Sequence, residues 1–179
     1  PDGYRPSNGA ATSLYVRTQD EFGVIAPVWA GRAFAGWDID GMDDSSHTIG
    51  SGSDVIITTD SSLTGITSTM FKHLRRSEGT VRFKARWTSN PYNIAYAGMN
   101  GASYGDRHPT SAFVGSAFAV DNPTKLGYTF AGWDVSGMDT SMHVVGGVVG
   151  NITTATGALG TMFRDLTLVS GATVTLTAT

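Results

Sequence analysis

An internal repeat is the feature that most constrains what this chain can fold into. The segment FAGWDIDGMDDSSHTIG at positions 34–50 returns as FAGWDVSGMDTSMHVVG at 130–146, with the same residue at eleven of seventeen positions. So much ungapped identity indicates two copies of one structural unit. We therefore predict two tandem modules, residues 1–88 and 89–179. Each has about 90 residues, enough to bury a modest core.

Composition favours β-structure in both modules. Glycine accounts for 23 of the 179 residues, Val, Ile, Thr and aromatic residues are frequent, and Lys and Glu are scarce. This balance is typical of strands joined by glycine-rich turns, so the predicted fold class is mainly β (α+β). A net charge of −3 with 15% charged residues predicts no basic surface for nucleic acid. No apolar run reaches transmembrane length, which predicts no membrane insertion.

The absence of cysteine excludes a disulfide scaffold and Cys-ligated metal sites. The first residues, PDGYRPSNG, lack the charged and apolar parts of a signal peptide. The chain is therefore expected to be a mature or excised piece of a longer repeat array.

Hydrophobic alternation predicts several strands. Residues 80–87 (TVRFKARW) alternate without interruption, residues 92–96 (YNIAY) alternate again, and residues 32–39 form a strand through the repeated motif. Period two places Phe34 and Trp37 on opposite faces, with a bulge or close backbone approach at the glycine between them. The predicted structural core contains the repeated aromatic residues and the tryptophan of the closing strand: Phe34, Trp37, Trp87, Phe130 and Trp133.

Other local patterns predict a turn, a further strand and one helix. Asn8-Gly9 is a turn signal, and residues 13–17 form a short strand candidate. Residues 68–76 (STMFKHLRR) have apolar side chains at helical spacing, a serine that could cap the N-terminus and two arginines suited to the C-terminus. We therefore expect each module to be a small mixed sheet with one short helix, which in the first module is this segment. Residues 60–64 are expected to form a loop.

The second copy resembles the Listeria–Bacteroides repeat, the family that includes the internalin B-repeats. The resemblance rests on the string NPTKLGYTFAGW at 122–133, preceded by the Tyr-x-Ile-x-Tyr pattern and an Asn-Gly turn and followed by an alternating closing strand. It covers most of residues 92–179 and, more loosely, 1–88, where the Asn-Pro-Thr segment is missing. The resemblance implies a β-grasp module strung in tandem in secreted or wall-attached bacterial proteins, with no catalytic residues to transfer.

An acidic turn in the first copy is a weak candidate for calcium binding. Asp38, Asp40, Asp43 and Asp44 follow the motif tryptophan closely, and hard cations favour several carboxylate oxygens on a tight turn. Position twelve of an EF-hand loop would need a glutamate, and Ile49 stands there. The alternative is that these carboxylates cap the turn by accepting backbone N–H bonds.

Nothing else in the sequence predicts catalysis or a cofactor. His47 and His143 recur in register, yet no nucleophile lies beside either, and four dispersed histidines give no zinc spacing. We expect both to be hydrogen-bonded turn or strand residues. Trp29, in a Pro-Gly loop, and Tyr104 are possible contact residues for a partner or a sugar. The insertions at 51–69 and 147–161 are expected to form variable loops available for contacts.

These observations predict a non-catalytic structural or adhesive module at the cell surface, acting as a stalk or spacer. Its expected partners are neighbouring repeats or identical chains, with a host protein or a glycan as further alternatives. A strand matching residues 92–97 is missing before the first copy, and the second copy stops before a counterpart of Trp87. An extracellular filament subunit that pairs strands between chains is therefore the first alternative. A carbohydrate-binding module is the second.

Overall fold

The protein divides into two compact units. The computed structural model describes residues 16–17, 20–50 and 55–179. Positions 8–9 of the predicted turn, 13–15 of the first strand candidate and 51–54 of the first insertion lie outside the described residues. Unit 1 comprises Pro1–Trp29 and Ala33–Thr88, and unit 2 comprises Ala30–Arg32 and Ser89–Thr179.

Unit 1 contains two small sheets. One has the strand order β1-β6-β3-β4, and the other has the order β5-β2-β7. Strand β2 runs through the repeated motif, and β7 is the predicted closing strand. The strands of unit 1 are β1 Phe22–Gly23, β2 Arg32–Asp40, β3 His47–Ile49, β4 Ile56–Thr58, β5 Ser62–Ile66, β6 Met70–Lys72 and β7 Arg82–Ser89.

Unit 2 repeats this plan and has two strands more than the described part of unit 1. Its first sheet has the order β10-β15-β12-β13, and its second has the order β14-β11-β16-β8-β9. Strands β8 and β16 pair in parallel at the centre of the second sheet, while the other pairs are antiparallel. The strands are β8 Pro91–Ala97, β9 Ser111–Phe113, β10 Ala117–Ala119, β11 Trp133–Ser136, β12 His143–Val145, β13 Val148–Gly150, β14 Ala155–Ala158, β15 Met162–Arg164 and β16 Thr173–Ala178.

The mainly β prediction is confirmed, but the predicted helix is wrong. The described residues contain no helix, and the segment predicted as helical holds strand β6. Phe71 of this strand is fully buried and pairs with Phe22 on one neighbour and Ile49 on the other. His73 then adopts a φ of 60°, which a right-handed helix cannot accommodate. A short apolar run cannot by itself distinguish a helix from a buried strand.

The insertions complete the sheets rather than forming open loops. In unit 1, residues predicted as a loop form β5, which pairs with β2, and the preceding strand β4 pairs with β3. In unit 2, β13 and β14 occupy the equivalent places beside β12 and β11. The loop prediction is correct at residues 60–61 but wrong at 62–64, because β5 supplies an outer strand to the sheet that carries the motif.

Each unit has its own hydrophobic core. The closing strand β7 alternates as predicted, with Arg82, Lys84 and Arg86 exposed and the residues between them partly buried. In unit 2 the equivalent Val174 and Leu176 are fully buried, in a core to which the neighbouring strand β8 contributes Tyr92 and Ile94. Among the described residues, the buried hydrophobic core of unit 1 contains Trp37, Ile39, Met42, Ile49, Phe71 and Leu74. The buried core of unit 2 includes Tyr92, Ile94, Val120, Trp133, Val135, Phe163, Leu166, Val174 and Leu176.

The motif glycine interrupts the strand alternation. Gly36 has a φ of 104°, and a β-carbon built on it would lie 2.6 Å from the backbone carbon of Gly65. This confirms the predicted close backbone approach. It also brings Phe34 and Trp37 onto the same core, with ring centroids 5.1 Å apart, so the prediction that they lie on opposite faces is wrong. In unit 2, Gly132 and Gly157 repeat this contact.

We expect two tyrosines of unit 2 to resist ionisation at alkaline pH. Burial raises the pKa of Tyr92 and that of Tyr96 to about 12, from an ordinary value of 10.0. A raised folded-state pKa contributes stability that is present below the unfolded-state value and is lost as the pH rises through the folded one. Absorbance titration should show part of the tyrosine ionisation delayed in the native chain and restored to near pH 10 in denaturant. Simultaneous ionisation of all six tyrosines in the native chain would contradict this.

Candidate functional site

A cluster of one aspartate and one histidine follows the motif strand in each unit. We call it the Asp–His cluster: Asp43 and His47 in unit 1, Asp139 and His143 in unit 2. The aspartate lies in the turn after β2 or β11, and the histidine begins β3 or β12. Both positions recur in the sequence repeat, so the cluster is a polar feature that the two copies share.

In unit 1 the carboxylate of Asp43 closes its own turn and reaches a distant segment. Its Oδ1 accepts hydrogen bonds from the backbone N–H of Ser45, at 3.1 Å, and from the Ser45 hydroxyl. Its Oδ2 accepts the backbone N–H of Arg76 at 2.5 Å. The side chain therefore ties the turn before β3 to the segment after β6.

In unit 2 the carboxylate of Asp139 makes the same links and one more. Its Oδ1 accepts from the backbone N–H and the hydroxyl of Ser141, at 2.8 and 2.5 Å. Its Oδ2 accepts from the backbone N–H of Leu168 at 2.5 Å and from the hydroxyl of Thr167 at 3.2 Å. Four donors thus converge on a single carboxylate.

The buried histidine of each cluster contacts the same two backbone segments through its ring nitrogens. His47 is fully buried; its Nε2 lies 2.7 Å from the carbonyl oxygen of Asp43 and its Nδ1 lies 2.8 Å from that of His73. His143 is equally buried, with Nε2 2.8 Å from the carbonyl oxygen of Asp139 and Nδ1 bonded to that of Asp165. The expectation that both are hydrogen-bonded turn or strand residues is confirmed.

The distant carbonyl comes from a residue with unusual backbone geometry. His73 and Asp165 have φ values of 60° and 54°, in the left-handed region that non-glycine residues seldom adopt. Each follows the short strand that carries the buried phenylalanine, β6 or β15. The same backbone conformation at both places indicates that the bend belongs to the repeated unit.

Hydrogen bonding keeps both carboxylates ionised. In Asp43, the Ser45 hydroxyl and then the Arg76 N–H hold the pKa well below its ordinary range. For Asp139, burial acts to raise the pKa, but hydrogen bonds from Leu168 and Ser141 outweigh it and leave the pKa lowered. A lowered folded-state pKa contributes stability at neutral pH that is lost as the pH falls through the acidic range.

The arrangement is suited to holding backbone segments together rather than to catalysis. A histidine that acts as a general acid or base needs a ring nitrogen that can contact the substrate, and one that binds a metal needs a ring nitrogen that can contact the ion. In His47 and His143 both nitrogens are engaged by carbonyl oxygens of the protein. Sequence reasoning identified the recurring aspartate and histidine but missed the serine two residues after the aspartate, although the spacing Asp-x-Ser-x-His is present in both copies.

The structure does not gather the calcium candidates at one point. Asp38 accepts the Gly65 N–H at 3.2 Å and lies 3.5 Å from the Arg86 guanidinium. Asp40 accepts the N–H of the next residue at 2.8 Å, Asp43 belongs to the Asp–His cluster, and Asp44 is exposed. Over the described residues, no three His, Asp or Glu side chains are placed to hold a metal ion.

The two possible contact residues lie in different surroundings. Trp29 is partly buried, and its ring packs edge-on against Trp87 with centroids 5.5 Å apart. Tyr104 is 47% exposed and stacks on His108, with centroids 4.9 Å apart. Tyr104 therefore offers aromatic surface to solvent, whereas Trp29 contributes to packing within unit 1.

No protein-family model, curated protein or solved structure matches this chain. In the part of the chain that the structure describes, no helix is long and apolar enough to cross a bilayer.

Proposed function

We propose that each unit is a non-catalytic structural or adhesive repeat of a bacterial cell-surface or secreted protein, acting as a stalk or spacer. This proposal rests on one observation: the residues that the two copies share lie at positions that maintain the fold. Trp37 and Trp133 are core residues, the Asp–His cluster joins backbone segments, and the motif glycines allow two backbones to touch. What the copies have in common maintains a fold.

The surfaces of the two copies, by contrast, carry different residues. On the exposed face of β7 the chain presents Arg82, Lys84 and Arg86. The equivalent positions in β16 and directly after it are threonines: Thr175, Thr177 and Thr179. A repeated scaffold with divergent surfaces is what a spacer or adhesive array requires, because each module keeps its fold while its contacts vary.

We further propose that the module is a variant of the β-grasp fold. The order β9-β8-β16-β11 in unit 2 places its first and last strands side by side and parallel, with an antiparallel strand on either side. This order supports the β-grasp assignment that the motif resemblance implies. In place of the expected helix, the sheet β10-β15-β12-β13 supplies Phe163, Val145 and Phe118 to the core.

A second candidate function, a self-assembling filament subunit, is favoured by two outer strands. Strand β4 ends one sheet of unit 1 and β13 ends the corresponding sheet of unit 2. Ile57 and Val149 on these strands are 71% and 61% exposed. Exposed apolar outer strands can pair with another chain and extend its sheet.

Light scattering across a concentration series distinguishes the two candidates. A spacer is expected to remain an 18.8 kDa monomer at every concentration, because its sheets need no second chain. A filament subunit would form polymers as the concentration rises, and we would then expect Ile57→Lys or Val149→Lys to abolish them, since a buried unpaired charge at the strand interface is costly.

The matched control variants are Ile25→Lys and Leu126→Lys, which change apolar residues outside the strands that are more exposed than Ile57 and Val149. Loss of polymers in the strand variants alone would establish inter-chain strand pairing and overturn the spacer proposal. A monomer at all concentrations would exclude the filament. Retention of that monomer on a glycan column, reduced by Tyr104→Ala, would instead support carbohydrate binding.

A further inference from the structure

The buried histidines of the Asp–His clusters have more acceptors than a neutral ring can satisfy. A neutral imidazole has one N–H donor and one bare nitrogen that only accepts. Both nitrogens of His47 face carbonyl oxygens, at 2.7 and 2.8 Å, and carbonyl oxygens can only accept. With a hydrogen on one nitrogen alone, the other contact would place two lone pairs against each other. Both contacts are hydrogen bonds only when the ring has a hydrogen on each nitrogen.

Unit 2 shows the same arrangement with a different surrounding sequence. Both nitrogens of His143 contact carbonyl oxygens, those of Asp139 and Asp165. The residue that supplies the second carbonyl is a histidine in unit 1 and an aspartate in unit 2. The carbonyl contact is therefore retained although the side chain at that position has changed.

A negative charge lies close to each ring. In unit 2 the Oδ1 atom of Asp139 is 3.7 Å from Nε2 of His143, and in unit 1 the carboxylate of Asp43 is near enough to interact with a charged His47 ring. An anion at this distance favours a cationic ring and offsets part of the cost of burying it.

The other charged groups on the surrounding segments are directed elsewhere. In unit 2 the carboxylate of Asp165 accepts the Gly115 N–H at 2.5 Å and lies 3.3 Å from the Arg164 guanidinium. The hydroxyl of Tyr92 accepts the Leu166 N–H at 3.5 Å.

In unit 1, the segment after β6 has three cationic or titratable side chains. The guanidinium of Arg75 donates to the carbonyl of Gly41 at 2.7 Å. The side chain of His73 is partly exposed, and Arg76 is exposed. The carboxylate that accompanies the buried ring is therefore that of the Asp–His cluster itself, 3.7 Å away in unit 2.

We propose that each Asp–His cluster is a proton-binding site: His47 and His143 each hold a second proton in the folded chain. The unfolded chain exposes both rings to water, where imidazole gives up that proton around neutral pH. Folding at neutral to mildly alkaline pH therefore takes up a proton in each unit. Because the folded chain binds more protons than the unfolded chain, the stability of each unit falls as the pH rises.

The direct test is nitrogen NMR of the full chain labelled in its histidine rings. The spectra are recorded from about pH 5 to pH 9, the range over which an imidazole in water gains or loses its second proton. His108 is the internal reference, because it is exposed and only its Nδ1 contacts a carbonyl, that of Gly105 at 2.8 Å. We expect His47 and His143 to keep hydrogens on both nitrogens after His108 has lost one. If either buried ring has a single hydrogen at the pH where His108 changes, the inference fails for that unit.

His47→Gln and His143→Gln assign the two signals and provide a second readout. Glutamine has a similar reach but gains no proton, so each variant should lose the part of the pH dependence of unfolding that its unit contributes. We expect the stability difference between wild type and variant to shrink as the pH rises. A difference that stayed constant with pH would point to packing alone. If a variant does not fold, the wild-type NMR titration still decides the question.

Discussion

Replacing Gly132 by alanine is expected to cost unit 2 a large part of its stability. The residue has a φ of 137°, and an added β-carbon would lie 2.4 Å from the backbone carbon of Gly157 and 2.6 Å from its Cα and oxygen. Backbone strain of about 1–3 kcal/mol and overpacking of about 1–3 kcal/mol add to roughly 2–6 kcal/mol. Native domains are stable by only about 5–15 kcal/mol. Urea unfolding of the full chain should show the loss as an earlier transition for unit 2.

The matched control is Gly127→Ala in the same unit. Gly127 has a φ of 81°, but a β-carbon there would meet nothing within 4 Å. Its replacement therefore incurs the cost of a left-handed residue alone, about 1–2 kcal/mol. Equal losses in the two variants would show that the contact between the Gly132 and Gly157 backbones is not a constraint on the fold.

Asp139→Asn is expected to have the second largest effect. The change keeps the shape of the side chain but removes its charge and replaces one acceptor oxygen with an NH₂ group. That group would face donors, because Ser141, Thr167 and Leu168 all donate to this carboxylate. Hydrogen bonds to a charged group each contribute about 1.5–3 kcal/mol, and an unpaired buried donor costs a similar amount. We expect a loss of roughly 2–4 kcal/mol at neutral pH, measured by urea unfolding.

Acid should erase that difference. The pKa of Asp139 is lowered in the folded chain, so the wild-type advantage is present at neutral pH and is lost as the pH falls through the acidic range. The control is Asp106→Asn, the same chemical change at an exposed aspartate, for which we expect a change within about 0.5 kcal/mol. If Asp139→Asn were as stable as this control, the carboxylate of the Asp–His cluster would not contribute measurably to the stability of unit 2.

The repeat and its core tryptophans could be read from the sequence because they depend on identity and on local alternation. The same holds for the closing strand, where every second residue is charged. The helix prediction at residues 68–76 failed because the identity of that segment is decided by partners far away in the chain: Phe71 pairs with Phe22 and Ile49. The spacing of apolar residues within one segment does not indicate which distant residues it will pair with.

The candidate site was predictable only in part for the same reason. The recurrence of Asp43 and His47 marked them as important, and the serine between them was visible in the pattern. Their long-range partners were not, because the carbonyl of His73 and the N–H of Arg76 are backbone groups that any residue type can provide. A site in which side chains bind backbone leaves half of its members without a sequence signature.

The parallel pair at the centre of unit 2 also determines how that unit would respond to tension. Strand β8 begins the unit and β16 ends it, and they are in register over five residue pairs, from Thr173 with Asn93 to Thr177 with Ala97. Tension applied at the two ends of the unit pulls parallel neighbours in opposite directions along their own axes. The load is then a shear that all the hydrogen bonds between the two strands share, so they have to break together instead of opening one after another.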